Sequence, residues 1–452
     1  MTTFDVVDPS TGEVFAQASD CSAQRLDDVM AAAHAARDWG EDDAVRVAAL
    51  VAAADAVLAA QDELAPLLAR EQGKPLKAAA FEVAETARWL GASAELGLPR
   101  EVVQDDERGY AEVVRRPLGV VAAITPWNFP LLLAGWKLGP ALRAGNTVVL
   151  KPSPFTPLST VRLGEVIERV LPPGVVTVVS GGDELGAWMT AHPLVRKISF
   201  TGSVATGKRI AAAAAPDLKR HTLELGGNDA AIVLDDADVG ALARDLFWGA
   251  FINNGQICAG IKRVYVPESL HDELVDALAE RAKAVRVGAW DEPRVQLGPI
   301  NNRPQFERVR GLVDDALAHG ATAVTGGAPL DRPGYFFAPT ILTGVAEGVR
   351  IVDEEQFGPA LPVMPYRTVD EVVDRANVTS FGLSGSVWGT DTDRASDVAS
   401  RIDSGVVFVN DHLTLEPHLP FGGVKWSGVG VENGHWGLEE FSSLQVRYRA
   451  RR

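Results

Sequence analysis

Residues 120–153, VVAAITPWNFPLLLAGWKLGPALRAGNTVVLKPS, decide the fold class. Residues 120–124 and 147–150 are short apolar runs rich in valine, while residues 132–143 between them repeat apolar side chains at helical spacing. Strand, helix and strand at this separation require a crossover, which runs right-handed and leaves the two strands parallel. The pattern repeats outward: helices at 157–170 and 184–190, strands at 175–179 and 197–200. The fold class expected is α/β, a largely parallel sheet with helices on both faces. Nucleotides and dinucleotides commonly bind at the carboxyl edge of such a sheet.

A second α/β unit follows residue 223, with strands expected at 230–234, 262–266, 322–324, 339–342, 361–366, 384–388 and 405–409, and helices at 270–284, 305–319, 369–376 and 393–402. The boundary falls at 223–229, where Gly226 and Gly227 let the backbone pass close between layers. Ahead of the first unit, residues 7–13 read as a turn between two short strands, and 26–39, 44–60, 62–71 and 82–96 as helices, with Gly97 as a stop. Residues 109–116 alternate as an edge strand. Residues 444–448 alternate too and lead into Arg449, Arg451 and Arg452, which reads either as a terminal strand pairing with a neighbouring subunit or as a frayed end.

The 452 residues are too many for one core, so two or three domains are expected. A formal net charge of −17 argues against nucleic acid and anionic membranes as partners. The apolar runs fall far short of the roughly 20 residues of a membrane span. Asp5 and Asp8 stand where an export signal would carry basic residues, so a cytoplasmic protein is expected. Cys21 and Cys258 make no disulfide framework, the histidines are dispersed, and no metal site is expected.

Chemistry concentrates in a few places. Residues 251–260, FINNGQICAG, set Cys258 in a loop dense with Gly, Asn and Gln, whose free donors favour a nucleophilic thiolate; a buried structural cysteine is the alternative. Glu224 sits in an apolar run closed by glycines, where burial would raise its pKa toward that of a general base, unless backbone donors simply satisfy it. Asn128, in 125–130 TPWNFP, stands at the sheet's carboxyl edge as an oxyanion donor or a helix cap. Lys151 ends a strand within reach of ribose hydroxyls, and Gly202 and Gly207 at a helix start admit phosphates, although Gly202–Gly207 is not the dinucleotide fingerprint. Residues 420–430, PFGGVKWSGVG, read as a loop clamped at a site mouth or a subunit surface.

Together these stretches resemble the NAD(P)-dependent aldehyde dehydrogenase superfamily over nearly the whole chain. The motifs that carry the likeness occur in family order: Pro126-Trp127-Asn128, Lys151-Pro152-Ser153, Phe200-Thr201-Gly202-Ser203, Leu223-Glu224-Leu225-Gly226-Gly227, Gly255-Gln256-Ile257-Cys258, Glu354 to Pro359, and Pro420-Phe421-Gly422-Gly423. The resemblance implies a Rossmann-like cofactor domain at 1–104 and 119–223, a catalytic domain at 224–430, and an oligomerisation arm and tail at 105–118 and 431–452, assembled as a homodimer or homotetramer. It implies Cys258 as catalytic thiol, Glu224 as general base and Asn128 as oxyanion donor with the Cys258 amide. Lys151 and Glu355 would hold the cofactor riboses, Trp127 and Phe357 the nicotinamide, and Gly202 with Ser203 the pyrophosphate; Thr125, Pro126, Ser153 and Leu225 complete the cofactor set.

The activity implied is oxidation of an aldehyde to a carboxylic acid through a thiohemiacetal and a thioester, the latter hydrolysed by water that Glu224 activates. NAD is the cofactor expected, with NADP possible, because Pro154 stands where many members carry a glutamate on the adenosine ribose. Asn228 stands where lysine is common. Trp136, Ile252, Ile257, Ala259, Leu413, Leu415 and His418 fall at tunnel positions, mostly apolar, which favours an uncharged aliphatic or aromatic aldehyde; His418 and Asp411 are there to read a hydroxyl or an amine. The competing readings are a thiol-dependent esterase or thioesterase and a non-catalytic binding protein of the same fold.

Overall fold

The computed structural model describes residues 2–451. The first unit is a six-stranded sheet in the order Gly428–Val429, Arg220–Glu224, Val195–Thr201, Val120–Ile124, Thr147–Lys151, Val176–Val178. All neighbours run parallel except the first pair. Every residue of Val120–Ile124 and Thr147–Lys151 is buried, as strands covered on both faces must be. Val121 and Ala123 pack into one core with the helices Asp43–Ala59 and Leu76–Glu95; Val120, Ala122 and Ile124 pack into another with Leu26, Met30 and Ile210.

From Val120–Ile124 the chain steps outward to Thr147–Lys151 and Val176–Val178, then returns to Val195–Thr201 on the opposite side of the first strand. The order therefore reverses between Val120–Ile124 and Val195–Thr201. The loops leaving their carboxyl ends diverge and open a crevice there.

The second sheet has seven strands, ordered Thr322–Thr325, Thr340–Thr343, Ala360–Tyr366, Ile261–Pro267, Asp229–Val233, Ser384–Trp388, Val406–Val409, parallel except at the first pair. Alternate residues of Asp229–Val233 again feed separate cores. Between the sheets the chain crosses in Leu225–Asn228, a stretch without regular structure.

Three of the elements that escape the sequence periodicity shape the fold. Arg220–Glu224 runs into the stretch 223–229 that reads as a passage between units; it opens with polar Arg220 and His221 and is held by pairing to Val195–Thr201. The helix Val239–Phe251 contains two glycines and three aromatics, poor helix formers in isolation; Asp238 caps it and its apolar face closes over the second sheet. Glu101–Asp106 is an exposed strand that pairs with Gly109–Pro117. The terminal strand Ser442–Ala450 pairs antiparallel with the other edge of Gly109–Pro117 in the same chain, so the stretch is neither frayed nor without a partner of its own. Arg452 lies outside the described residues.

Gly298 marks where the units touch. A Cβ there would lie 2.0 Å from the Gly73 carbonyl oxygen, backbone against backbone, with no flexible atom to yield. Gly298→Ala should lower stability to urea by about 2 kcal/mol or more; an unchanged unfolding midpoint would show that the contact between the units is loose.

Candidate active site

The crevice is a cavity of about 920 Å³, near the upper end of the roughly 300–1,000 Å³ of small-molecule sites. Pro126, Trp127, Asn128, Gly202, Ser203, Leu225, Cys258, Glu355 and Phe357 all line it, so most of the catalytic and cofactor residues expected from sequence converge on one space, while Glu224 and the expected substrate residues Trp136, Ile252, Ile257, Ala259, Leu413 and His418 do not border it.

Asn128 leaves the strand Val120–Ile124 through a turn that ends at Pro130, the first residue of the helix Pro130–Arg143. It is 2% exposed, and its Nδ2 donates to the Gln256 carbonyl at 3.0 Å. An amide nitrogen carries two hydrogens, so one remains for a ligand.

The Cys258 loop is shaped by the sequence Asn253-Asn254-Gly255. All three residues are left-handed, with φ of 52°, 60° and 72°; asparagine tolerates this, and at Gly255 a Cβ would meet the Gly358 carbonyl at 2.3 Å. Gln256 folds back to donate to the Asn253 carbonyl at 2.9 Å, while its Oε1 accepts the Asn301 amide at 2.8 Å. Carbonyls on both sides of Cys258 are held from behind: Lys262 Nζ donates to Ile257 and Gly260, and His412 Nε2 lies 2.8 Å from the Ala259 oxygen. Burial pushes the His412 imidazole down to about 4, so it is neutral and donates there. Lys262 and His412 carry no local sequence signal, since their partners are backbone carbonyls.

Cys258 is half-buried at the cavity wall. Burial pushes its thiol up to about 12, and Glu355, Glu224 and Asp229 add to the rise while Lys262 opposes it.

Glu224 ends the strand Arg220–Glu224 and is 3% exposed. Among the described residues neither carboxyl oxygen has a hydrogen-bond partner. Burial raises its pKa well above the usual carboxylate value, Glu432 raises it further, and Lys137 opposes. Lys137 is itself held at 2.6 Å by Glu432 and donates to Thr201 Oγ1 at 2.7 Å. The alternative of a carboxylate satisfied by backbone donors is therefore not what the structure contains.

Glu355, also at the cavity, accepts the Gly227 amide at 3.0 Å, and a Cβ on Gly226 would lie 2.3 Å from its Oε2. Phe357 meets Trp127 edge-on at 5.2 Å and is steadied by Gln305, which donates to its carbonyl at 3.0 Å. Ser203 caps the helix Val204–Ala214, directing that helix's positive end into the cavity. Lys151, Ser153 and Thr125 sit beyond the cavity wall on the adjoining strand ends. The Thr125 amide donates to the Lys151 carbonyl, and buried Lys151 Nζ bonds the Pro152 carbonyl at 3.2 Å with its pKa lowered to about 8 by burial. Asn228 is buried and donates to the Val352 carbonyl at 2.7 Å.

Of the tunnel positions, Trp136 and Ala259 pack with Trp89 and Phe421, and Cys258, Leu413 and Leu415 border the same cluster. Trp136 stacks on Trp89 at 5.6 Å and meets Phe421 edge-on at 5.4 Å. Ile257 is buried, Ile252 and His418 are exposed, and Asp411 accepts the His412 amide. Trp89 lies far from the other tunnel residues in sequence and had no signal there.

The aldehyde dehydrogenase family model matches residues 1–446. This chain belongs to the aldehyde dehydrogenase family. It is 36% identical to the chloroplastic betaine aldehyde dehydrogenase of Beta vulgaris over 97% of this chain and 91% of that protein. It is 37% identical to a chloroplastic aminoaldehyde dehydrogenase of Arabidopsis thaliana over 97% and 91%. The NAD+ complex of an aldehyde dehydrogenase from Bacillus cereus superposes with a TM-score of 0.97 at 34% identity, covering 99% of this chain and 93% of that one. The chain is an NAD(P)-dependent oxidoreductase that oxidises aldehydes. No helix among the described residues is long and apolar enough to cross a membrane.

A thiol raised this far is protonated at neutral pH, so its thiolate fraction grows as pH rises. In the cofactor-free enzyme, alkylation of Cys258 by iodoacetamide should climb roughly tenfold per unit between about pH 7 and 9 with no plateau. A plateau near neutrality would mean that the loop stabilises the thiolate more than burial opposes it.

Proposed function

We propose that Cys258, Asn128 and Glu224 carry the oxidation, with an uncharged aliphatic or aromatic aldehyde as substrate. The observation that carries this reading is that Asn128 and Cys258 line one cavity, with the unpartnered buried carboxyl of Glu224 close enough to push the Cys258 thiol up. Cys258 reacts as the thiolate: its proton passes to solvent, and the sulfur attacks the carbonyl carbon, forming a C–S bond while the carbonyl π electrons move to oxygen. The free N–H of Asn128 and the Cys258 amide donate to that oxyanion. The nicotinamide, when bound, supplies the acceptor for the hydride lost by the thiohemiacetal carbon.

The thioester that remains on Cys258 is opened by water. Glu224, whose proton affinity burial raises above that of an ordinary carboxylate, removes a proton from that water; the C–S bond breaks with its electron pair returning to sulfur, and the acid departs. Hydrolysis rather than acyl transfer to a carrier thiol follows from the presence of this base.

For the cofactor, Glu355 against Gly226 and Gly227 holds one ribose, Lys151 with Ser153 the other, and Ser203 with Gly202 the pyrophosphate. The fit rests on the close approach that Gly226 permits and on the capped helix end at the cavity. Thr125, Pro126, Trp127, Leu225 and Phe357 border the nicotinamide end. NAD is the acceptor, and because Pro154 places no charge against a 2′-phosphate, NADP is accepted too. On the substrate side, Trp136, Ala259, Ile257 and Leu413 form the apolar wall. Val102, Val103, Leu444 and Val446, exposed on the arm, are the surface of a homodimer or homotetramer in the cytoplasm.

Steady-state and stopped-flow assays of NADH formation with a panel of aldehydes test these roles. Cys258→Ala should abolish turnover and leave NAD affinity within a factor of about two. Glu224→Gln should retain a burst of one NADH per site but lose steady turnover by roughly 10²–10⁴-fold. Asn128→Ala should slow the burst itself by roughly 10²–10³-fold. Steady turnover by Cys258→Ala would show the nucleophile to be another group.

A further inference from the structure

Behind Asn128, away from the cavity, lies a buried ion pair that none of the steps above uses. Lys74 is 3% exposed and Glu82 1% exposed, and Lys74 Nζ meets Glu82 Oε2 at 2.5 Å. Burying two charges costs several kcal/mol per ion, and apolar residues of similar volume often fill such space at no loss. The pair is therefore poorly explained by stability alone, and its remaining bonds say what it holds.

Each partner uses its second valence on a flank of Asn128. Lys74 Nζ donates to the Asn128 carbonyl at 2.8 Å. Glu82 Oε1 accepts the amides of Leu131 at 2.9 Å and Leu132 at 3.3 Å, capping the helix that begins two residues beyond Asn128. Lys74 also lies 4.0 Å over the Phe129 ring. The turn is thus gripped at the Asn128 carbonyl and at the helix start that follows it.

The grip extends to the Cys258 loop through a closed circuit. Asn128 Nδ2 donates to the Gln256 carbonyl, Gln256 Oε1 accepts the Asn301 amide, and Asn301 Nδ2 donates to the Glu71 and Gln72 carbonyls at 3.0 and 3.2 Å. Gln72 Oε1 accepts the Lys74 amide at 3.0 Å, which returns the circuit to its start. Asn253 Nδ2 donates to the Asn128 carbonyl at 3.1 Å as well, so that oxygen has donors from both units.

We propose that Lys74 and Glu82 are positioning residues that fix the Asn128 amide relative to the Cys258 loop, acting through the Asn128 carbonyl and the first turn of the following helix. The inference rests on Asn128 being the oxyanion donor. Displacement of a catalytic group by about 1 Å can cost on the order of 10²-fold in rate, so the loss belongs to the attack step and not to binding.

A double-mutant cycle in the full-length enzyme tests this, read as the stopped-flow burst rate with aldehyde and NAD. Lys74→Met should slow the burst at least tenfold while KM for NAD and the iodoacetamide rate of Cys258 stay within twofold. In an Asn128→Ala background the same change should cost less than twofold. Glu82→Gln, which keeps an acceptor for the Leu131 amide, should show the same pattern with a smaller loss and serves if Lys74→Met does not fold. An equal loss from Lys74→Met, or from Glu82→Gln, with and without Asn128 would overturn the inference, as would a burst left unchanged. If Asn128→Ala alone leaves the burst intact, the oxyanion assignment fails instead, and the two failures are told apart.

Discussion

The hydrogen bond from Asn128 Nδ2 to the Gln256 carbonyl is the contact on which the site depends, because it joins two sheets that share no strand. One end belongs to a turn leaving the central strand of the six-stranded sheet. The other belongs to a loop entering Ile261–Pro267, the central strand of the seven-stranded one. The proposed nucleophile in one unit and the proposed oxyanion donor in the other are useful only at a fixed separation, and this bond ties the two loops that carry them. Around it, the left-handed run Asn253 to Gly255 gives the loop its shape, and Lys262 and His412 take up the carbonyls beside Cys258.

Two buried acids differ because their surroundings differ. Glu355 accepts a backbone amide and lies close to Lys262, which restrains the upward push of burial. Glu224 has no such partner, and the nearby Glu432 pushes it further in the same direction. A carboxyl that has lost water and gained no donor holds its proton more tightly, which is what the proposed role of a base acting on water requires. Lys137, tied to Glu432 and Thr201, keeps this pocket of negative charge from becoming untenable.

Much of this was legible in the sequence where the chemistry is local. Apolar runs of strand length separated by helical repeats gave the two parallel sheets, and the turns at 125–130, 202–203 and 254–258 gave the residues that meet in the cavity. What stayed hidden depends on tertiary partners. Lys74 and Glu82 look like ordinary charges at the start of a surface helix, and only the fold buries them under Asn128. Trp89 joins the cluster of Trp136 and Phe421 because its helix lies across Pro130–Arg143. His418 and His412 share one loop, yet the loop turns the first outward and the second against Ala259, a choice no spacing rule makes.

The account's central claim is covalent chemistry at a single sulfur. Acid-quenching the Glu224→Gln enzyme during reaction with an aldehyde and NAD, followed by peptide mass spectrometry, tests it most directly. The account predicts an acyl group on the peptide carrying Cys258, present only when NAD is supplied. An acyl group on Cys21, or NADH formation with Cys258 unmodified at every quench time, would contradict it.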